Sequence, residues 1–395
     1  MPSELESSTT FWDAHRRRTT NTSFGKRLSR TVAPVTIEDI NIAEKIFGPD
    51  IGTLKGKTTR RKPPVVREDI VEIPPEIKLQ CKDLVYSMDV MFVNSLPVLT
   101  GIDARIRYRS SVKLKNRTAE ELYSALDQIF RVYNHAGFFI KNIHCDNEFR
   151  SIMDAVKDEL GCTMNYYPAQ EHVSEAERNI RTIGERIRAL FHLLPYNKLP
   201  KVMLKHLTLL CTRQLNYFPA KGGVSAYFSP HVIMTGTDLD YAKHCQIPFG
   251  AYVQANEDKP PKNNNKPRTL DAIYLSPMTN KQGGHWVMDL RTGRAITRPQ
   301  VWEVPVTDRV IKAVETMAED EGFKTLKIMN RKKVLLFPAD WTAGVEYDDN
   351  VDENQNDEEN DEDDDENYDN NELENEIDED FDDEQAYAKV VGIGS

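Results

Sequence analysis

Three carboxylates stand out by type and position. Asp89 lies inside the apolar run LVYSMDVMFVN, Asp146 closes FFIKNIHCD, and Glu177 sits near the start of SEAERNIRTIGERIRALF. A carboxylate among apolar strand residues is costly to bury unless it is paired or holds a metal. Oxygen donors suit Mg²⁺, and two such ions about 4 Å apart would activate an attacking oxygen and stabilise a leaving one during displacement at phosphorus. Metal-dependent phosphoryl transfer on nucleic acid is the chemistry these residues could do. Other roles fit the same residues. Glu177 is explained equally as the capping partner of Ser174, Asp146 as the N-cap of a following helix, and Asp89 as the partner of an Arg. Spacing alone leaves these alternatives open.

The elements that must position them are legible as patterns. LVYSMDVMFVN reads as a buried strand, and VLTGIDARIRYRSSVKL as two more, with Arg105, Arg107 and Arg109 alternating with Ile106 and Tyr108 as a solvated basic face. Thr118 and Glu121 form a capping box ahead of a helix carrying Leu122, Leu126, Ile129, Phe130 and Tyr133 on one side, which Gly137 ends. FFIKNIHCD is the next strand, followed by a helix with Phe149, Ile152, Met153, Val156 and Leu160 inward. Ser174 and Glu177 form a second capping box for the longest helix, whose stripe is Ile180, Ile183, Ile187, Leu190 and Phe191. A further amphipathic helix follows over Leu199–Tyr217. Strands followed by helix, strand and helix predict an α/β (α+β) layer fold.

These patterns suggest five regions: a basic, mostly flexible arm over 1–75 with one short helix in 35–47, a core over 80–235, a small β-rich module over 245–306, a helix and a strand-like KVLLF over 307–340, and an acidic tail over 341–395. The tail holds 24 of the 63 acidic residues and one Lys, so the first 340 residues carry a net charge of +11 beneath an acidic whole. Such a tail buries too little apolar surface to order and is expected to be disordered. A basic body is the footprint of a phosphate-backbone binder. Arg178, Arg181, Arg186 and Arg188, beside the acidic residues, would position phosphates, or form only a solvated face. KGKTTRRK, with Lys57, Arg60, Arg61 and Lys62, could be a DNA-backbone or nuclear-localisation patch, or a solvated linker. The five cysteines are scattered with no CxxC pair, so no zinc is expected and a reducing compartment fits. No signal peptide or membrane-length apolar run is found, which points to the nucleus or cytoplasm and no membrane.

Read in order, YSMDVMFVN, IHCDNEFR and QEHVSEAERNIRTIGERIRAL resemble the three acidic blocks of retrotransposon integrases of the copia (Pseudoviridae) type. SPHVIMTG and PFGAYVQ resemble the stretch after that family's core, and LDAIYLSP with GGHWVMDLRTGRAITRPQVWEVP resembles its β module, a span of about residues 80–306. The resemblance implies an RNase H-like core with a five-stranded mixed sheet flanked by helices. It implies a DDE site of Asp89, Asp146 and Glu177, the last preferred to Glu175 because it directly precedes Arg178. It further implies two Mg²⁺ (or Mn²⁺) ions, removal of terminal nucleotides by water, then attack of the DNA 3′-hydroxyl on a target phosphodiester. The implied partners are DNA, as element ends and target, further copies of the chain in a homo-oligomer, and other segments of a retroelement polyprotein. Asn147 and Gln170 join the arginines and the 57–62 patch as DNA-binding candidates. The chain departs from the family at Glu148, where members have Gly, in a shorter interval of 30 residues between Asp146 and Glu177, and in lacking the amino-terminal zinc-binding module. Two other functions compete: a relic that binds nucleic acid without turnover, and an acidic tail that docks chromatin or basic proteins.

Overall fold

The structure, a computed structural model, describes residues 37–58, 69–167, 174–257, 265–278 and 283–337. The acidic tail and most of the amino-terminal arm lie outside the described residues. Helix α1 (Ile37–Phe47) is followed by a second, α2 (Ile51–Lys57), where the sequence suggests a linker. The carboxylate of Asp50 accepts the amides of Gly52 and Thr53 and so starts α2 locally. Next come α3 (Pro75–Gln80) and three antiparallel strands, β1 (Asp83–Val93), β2 (Leu96–Asp103) and β3 (Arg109–Lys113). Helix α4 (Ala119–His135), strand β4 (Phe139–Asp146), a 3-10 turn (Asn147–Ile152), helix α5 (Met153–Leu160) and strand β5 (Thr163–Tyr167) follow. Then come α6 (Ser174–Phe191), α7 (Lys201–Leu215) and two short helices, α8 (Pro230–Thr235) and α9 (Tyr241–His244). The second half holds β6 (Tyr252–Asn256), β7 (Thr269–Pro277), β8 (His285–Asp289), β9 (Ala295–Arg298) and β10 (Val301–Glu303), then α10 (Asp308–Asp320) and β11 (Ile328–Met329).

The first sheet runs β3-β2-β1-β4-β5, with β1 antiparallel to β2 and parallel to β4, and β11 pairs with β1 off this path. It is a mixed five-stranded α/β sheet flanked by helices, with one added short strand. Alternation along β1 divides its two faces. Tyr86, Met88, Val90 and Phe92 enter a core with Leu122, Leu126, Ile129, Phe130 and Tyr133 of α4 and with Phe149, Ile152 and Val156. Each such buried side chain contributes roughly 1.5–3 kcal/mol of transfer free energy. The residues between them, Ser87, Asp89, Met91 and Val93, take the opposite face, toward α6, which packs on β1 and β2. There α6 buries Ala176, Ile180, Ile183 and Ile187, a stripe at helical spacing. The second sheet is antiparallel throughout, in the order β10-β6-β7-β8-β9.

Three local expectations change. Residues 104–108 form the turn between β2 and β3 rather than a strand with a basic face. The carboxylate of Asp103 accepts the amides of Arg105, Ile106, Arg107 and Tyr108, and Arg107 takes φ 64°. A ring of amides on one buried carboxylate outcompetes the ladder that the alternation suggests. The Thr118 box is half made: Thr118 Oγ1 accepts the Glu121 amide at 3.4 Å, but the Glu121 carboxylate turns to the Lys115 amide at 2.9 Å. In KVLLF, Leu335 makes a single bridge to Met329, and the strand proper is Ile328–Met329.

Candidate active site

The site begins where β1 loses its neighbour. On one side β1 pairs with β2 from Tyr86 to Val93. On the other, β4 accompanies it only from Asp83 to Ser87, and β11 joins only at Phe92 and Val93. Asp89 lies in the interval between them. Ser87 is opposite His144, and two residues further along each strand come Asp89 and Asp146. Period-two alternation therefore sets both carboxylates on one face of neighbouring strands, Asp89 within β1 and Asp146 at the end of β4.

Each aspartate spends one oxygen on the next amide. Asp89 Oδ1 accepts from Val90 N–H at 2.7 Å, and Asp146 Oδ1 accepts from Asn147 N–H at 2.6 Å, which makes Asp146 the N-cap of the 3-10 turn. Asp89 is 7 % exposed and Asp146 is 5 % exposed. Burial pushes the Asp89 carboxyl up to about 6; the Val90 amide and the charge of Arg331 oppose this, while Glu148 and Glu177 add to it. Asp146 meets that same cation directly. Its Oδ2 is ion-paired with the guanidinium of Arg331, which arrives from the hairpin that follows β11.

Glu177 lies in the first turn of α6 with its side chain exposed, and Asp89 feels its charge. Glu175, its neighbour in that turn, is committed elsewhere: it accepts from Arg107 Nη1 at 2.8 Å and from Ser87 Oγ at 3.3 Å. Residues 168–173 lie outside the described residues, and with them Gln170 and whatever caps α6. Glu148, singled out in the sequence only as a departure from the family's Gly, is a fourth acid of this neighbourhood. It is ion-paired with Arg117, whose Nε reaches Oε1 at 2.6 Å and whose guanidinium lies 5.5 Å from the centre of the Phe92 ring. The signal that could have found it is its place directly after Asp146-Asn147, in a turn that begins at the strand end.

The basic candidates divide. At about 100° per residue along α6, Arg178, Arg181 and Arg188 share one strip, and Arg186 falls on another flank. Lys57 is exposed at the end of α2, while Arg60, Arg61 and Lys62 lie outside the described residues. Lys55, in the same basic stretch, is taken by Asp271 of β7 at 2.8 Å.

Could these residues hold a divalent cation? The donor set fits in kind, since Asp89 and Asp146 offer carboxylates on one face of neighbouring strands and burial raises the Asp89 carboxyl. With Arg331 on Asp146, no group of three His, Cys, Asp or Glu among the described residues closes on one point. Asp89 and Asp146 are the residues that would hold such an ion; of the two further acids whose charge Asp89 feels, Glu148 bears on it more strongly than Glu177.

Compared with solved structures, the chain aligns with the catalytic core domain of BIV integrase at 16 % identity over 38 % of this chain and 92 % of that one, TM-score 0.29. It aligns with a chain of the simian T-cell lymphotropic virus intasome in complex with PP2A regulatory subunit B56 gamma at 14 % identity, covering 68 % and 92 %, TM-score 0.31. A third alignment is with the HTLV-2 integrase catalytic core domain in complex with magnesium, in trimeric form, at 15 % identity, covering 38 % and 95 %, TM-score 0.29. At such TM-scores the likeness carries no argument about function. No protein-family model matches the chain, and no curated protein matches it.

Proposed function

We propose that the chain is an integrase of the copia retrotransposon type, a polynucleotidyl transferase that processes DNA 3′ ends and joins them to a target. One observation carries the reading: two buried aspartates, one short of positive charge, stand side by side where β1 and β4 part, with the charge of Glu177 bearing on the first of them. A divalent cation held by Asp89, Asp146 and Glu177 would supply the Lewis acidity that makes water or a 3′-hydroxyl a nucleophile and stabilises the leaving oxygen. The chain's own residues do the rest. The β1–β4 ladder fixes the aspartate pair, the Val90 and Asn147 amides orient each carboxylate, and α6 carries Glu177 with Arg178 and Arg181 in its first turns.

DNA, as element ends and target, is the partner, and the working form is a homo-oligomer. Binding through the basic body is salt-dependent and only weakly sequence-specific. The test is strand transfer by the full chain with an element-end oligonucleotide and Mg²⁺ or Mn²⁺. Wild type is expected to give joined product, and Asp89→Asn, Asp146→Asn and Glu177→Gln to lose it by at least a hundredfold. Equal absence of product in wild type and Asp146→Asn, with salt-dependent DNA binding retained, would instead establish a nucleic-acid-binding relic. The Arg331–Asp146 pair is the observation that favours this second reading, because it fills the site with a cation of the chain's own.

A further inference from the structure

We propose that the hairpin Ile328–Leu336 is a built-in plug of the carboxylate cleft, with the Arg331 guanidinium standing in for a divalent cation on Asp146. The inference rests on the reading that Asp89 and Asp146 bind such a cation.

The plug's position follows from the sheet. Once β4 leaves β1 after Ser87, that side of β1 is open, and β11 fills it at Phe92 and Val93. Two anchors hold it there: Asn94 N–H donates to Lys327 O at 2.6 Å, and Lys327 N–H donates to Asn94 Oδ1 at 2.7 Å. Beyond β11 the chain turns back on itself. Asn330 and Val334 bond across the turn, Leu336 N–H returns to Ile328 O, and Lys333 takes φ 61°. This tight turn presents Arg331 to the cleft, where its side chain is 15 % exposed while Lys332 and Lys333 on either side of the bend face solvent.

The chemistry is competitive. Asp146 Oδ1 accepts the Asn147 amide, and Oδ2 is the oxygen that Arg331 occupies. A guanidinium has no acceptor and repels a second cation at contact distance, so Arg331 and a metal ion on Asp146 exclude one another. Elsewhere in the protein buried aspartates are answered from close by. Asp103 is ringed by the amides of its own turn, whereas the counter-ion of Asp146 arrives on a late segment with a short edge of contact. Ile328 and Met329 are held against the core, whereas Val334 and Leu335 remain exposed, so the turn that carries Arg331 is the part of the hairpin least held by apolar contact.

The experiment is Mn²⁺ titration of the full chain, followed by electron paramagnetic resonance of the free ion, with no DNA present. Arg331→Ala is expected to bind Mn²⁺ at least tenfold more tightly than wild type, and the added Asp146→Asn change to abolish the gain. Asn94→Gly keeps the positive φ but loses the bond to the Lys327 amide. It is expected to tighten binding in the same direction by a smaller factor, and it decides the matter if Arg331→Ala does not fold. Equal Mn²⁺ affinity in wild type, Arg331→Ala and Asn94→Gly overturns the plug and leaves the metal reading standing. No Mn²⁺ binding in any of them overturns both.

Discussion

Asp89 and Asp271 are both carboxylates set within sheet strands, and the protein treats them in opposite ways. Burial raises both. At Asp271, hydrogen bonds from Lys55, Tyr252 and Gln254 outweigh burial and hold the carboxyl below its ordinary range. At Asp89 one amide and a cation at a distance do not suffice, and the carboxyl rises to about 6. The antiparallel module thus uses its aspartate as a fastener that ties α2 to β7, whereas the mixed sheet leaves Asp89 under-compensated in a gap between strand partners. A carboxylate kept in that state lowers stability at neutral pH, where a fastener such as Asp271 adds to it.

The contrast can be broken most forcefully at Asp89. Its proton is held more tightly in the folded state, so wild-type stability falls as pH rises from the ordinary 3.8 through about 6. Asp89→Asn is expected to be more stable than wild type by up to about 3 kcal/mol above pH 6, with the advantage shrinking below pH 5 and absent near pH 3. Urea unfolding at pH 4 and pH 8 checks this, and a pH-independent difference would place Asp89 in the same class as Asp271. Asp146→Asn should act the other way, leaving a largely buried Arg331 without its counter-charge at a cost of about 3 kcal/mol. Arg331→Met in the same chain should recover most of that loss, measured as a double-mutant cycle at pH 7. The smallest effect is expected at Lys55→Met, below about 1 kcal/mol because the pair is partly exposed. Asp271 titrates below the ordinary range, so the contribution of its partners is present at neutral pH and lost only in acid. Thermal melts of Lys55→Met and wild type should therefore differ at pH 7 and draw together as the pH is lowered into the acid range.

How much of this was legible depends on the range of the interactions. β1, β4 and α6 announce themselves because their apolar residues recur at periods of two and 3.6, and a carboxylate interrupting such a run is conspicuous. Residues 104–108 misled for the same reason: Arg105, Ile106, Arg107 and Tyr108 alternate like a strand, and only the buried Asp103 carboxylate bends them into a turn. Arg331 was invisible, since its segment has no strong period and its partner is a strand end far earlier in the chain. Lys55 looked like part of a free basic patch for want of any sign that Asp271 would claim it. Glu148 could be read as a missing Gly, but not as a charge that Asp89 feels. Strand-forming pattern is local; counter-charge is not.

Asn94 joins the two halves of this account. Its positive φ makes the two-residue turn from β1 to β2, and its amide and side chain also grip Lys327. The β1–β2 hairpin closes a very short loop, whereas β11 must find β1 across more than half the chain, so the turn can form early and the grip only late. The same asymmetry governs opening. If β11 and its turn lift as a unit while the sheet beneath persists, exposure of the aspartate pair would be a sub-global equilibrium, separate from global unfolding.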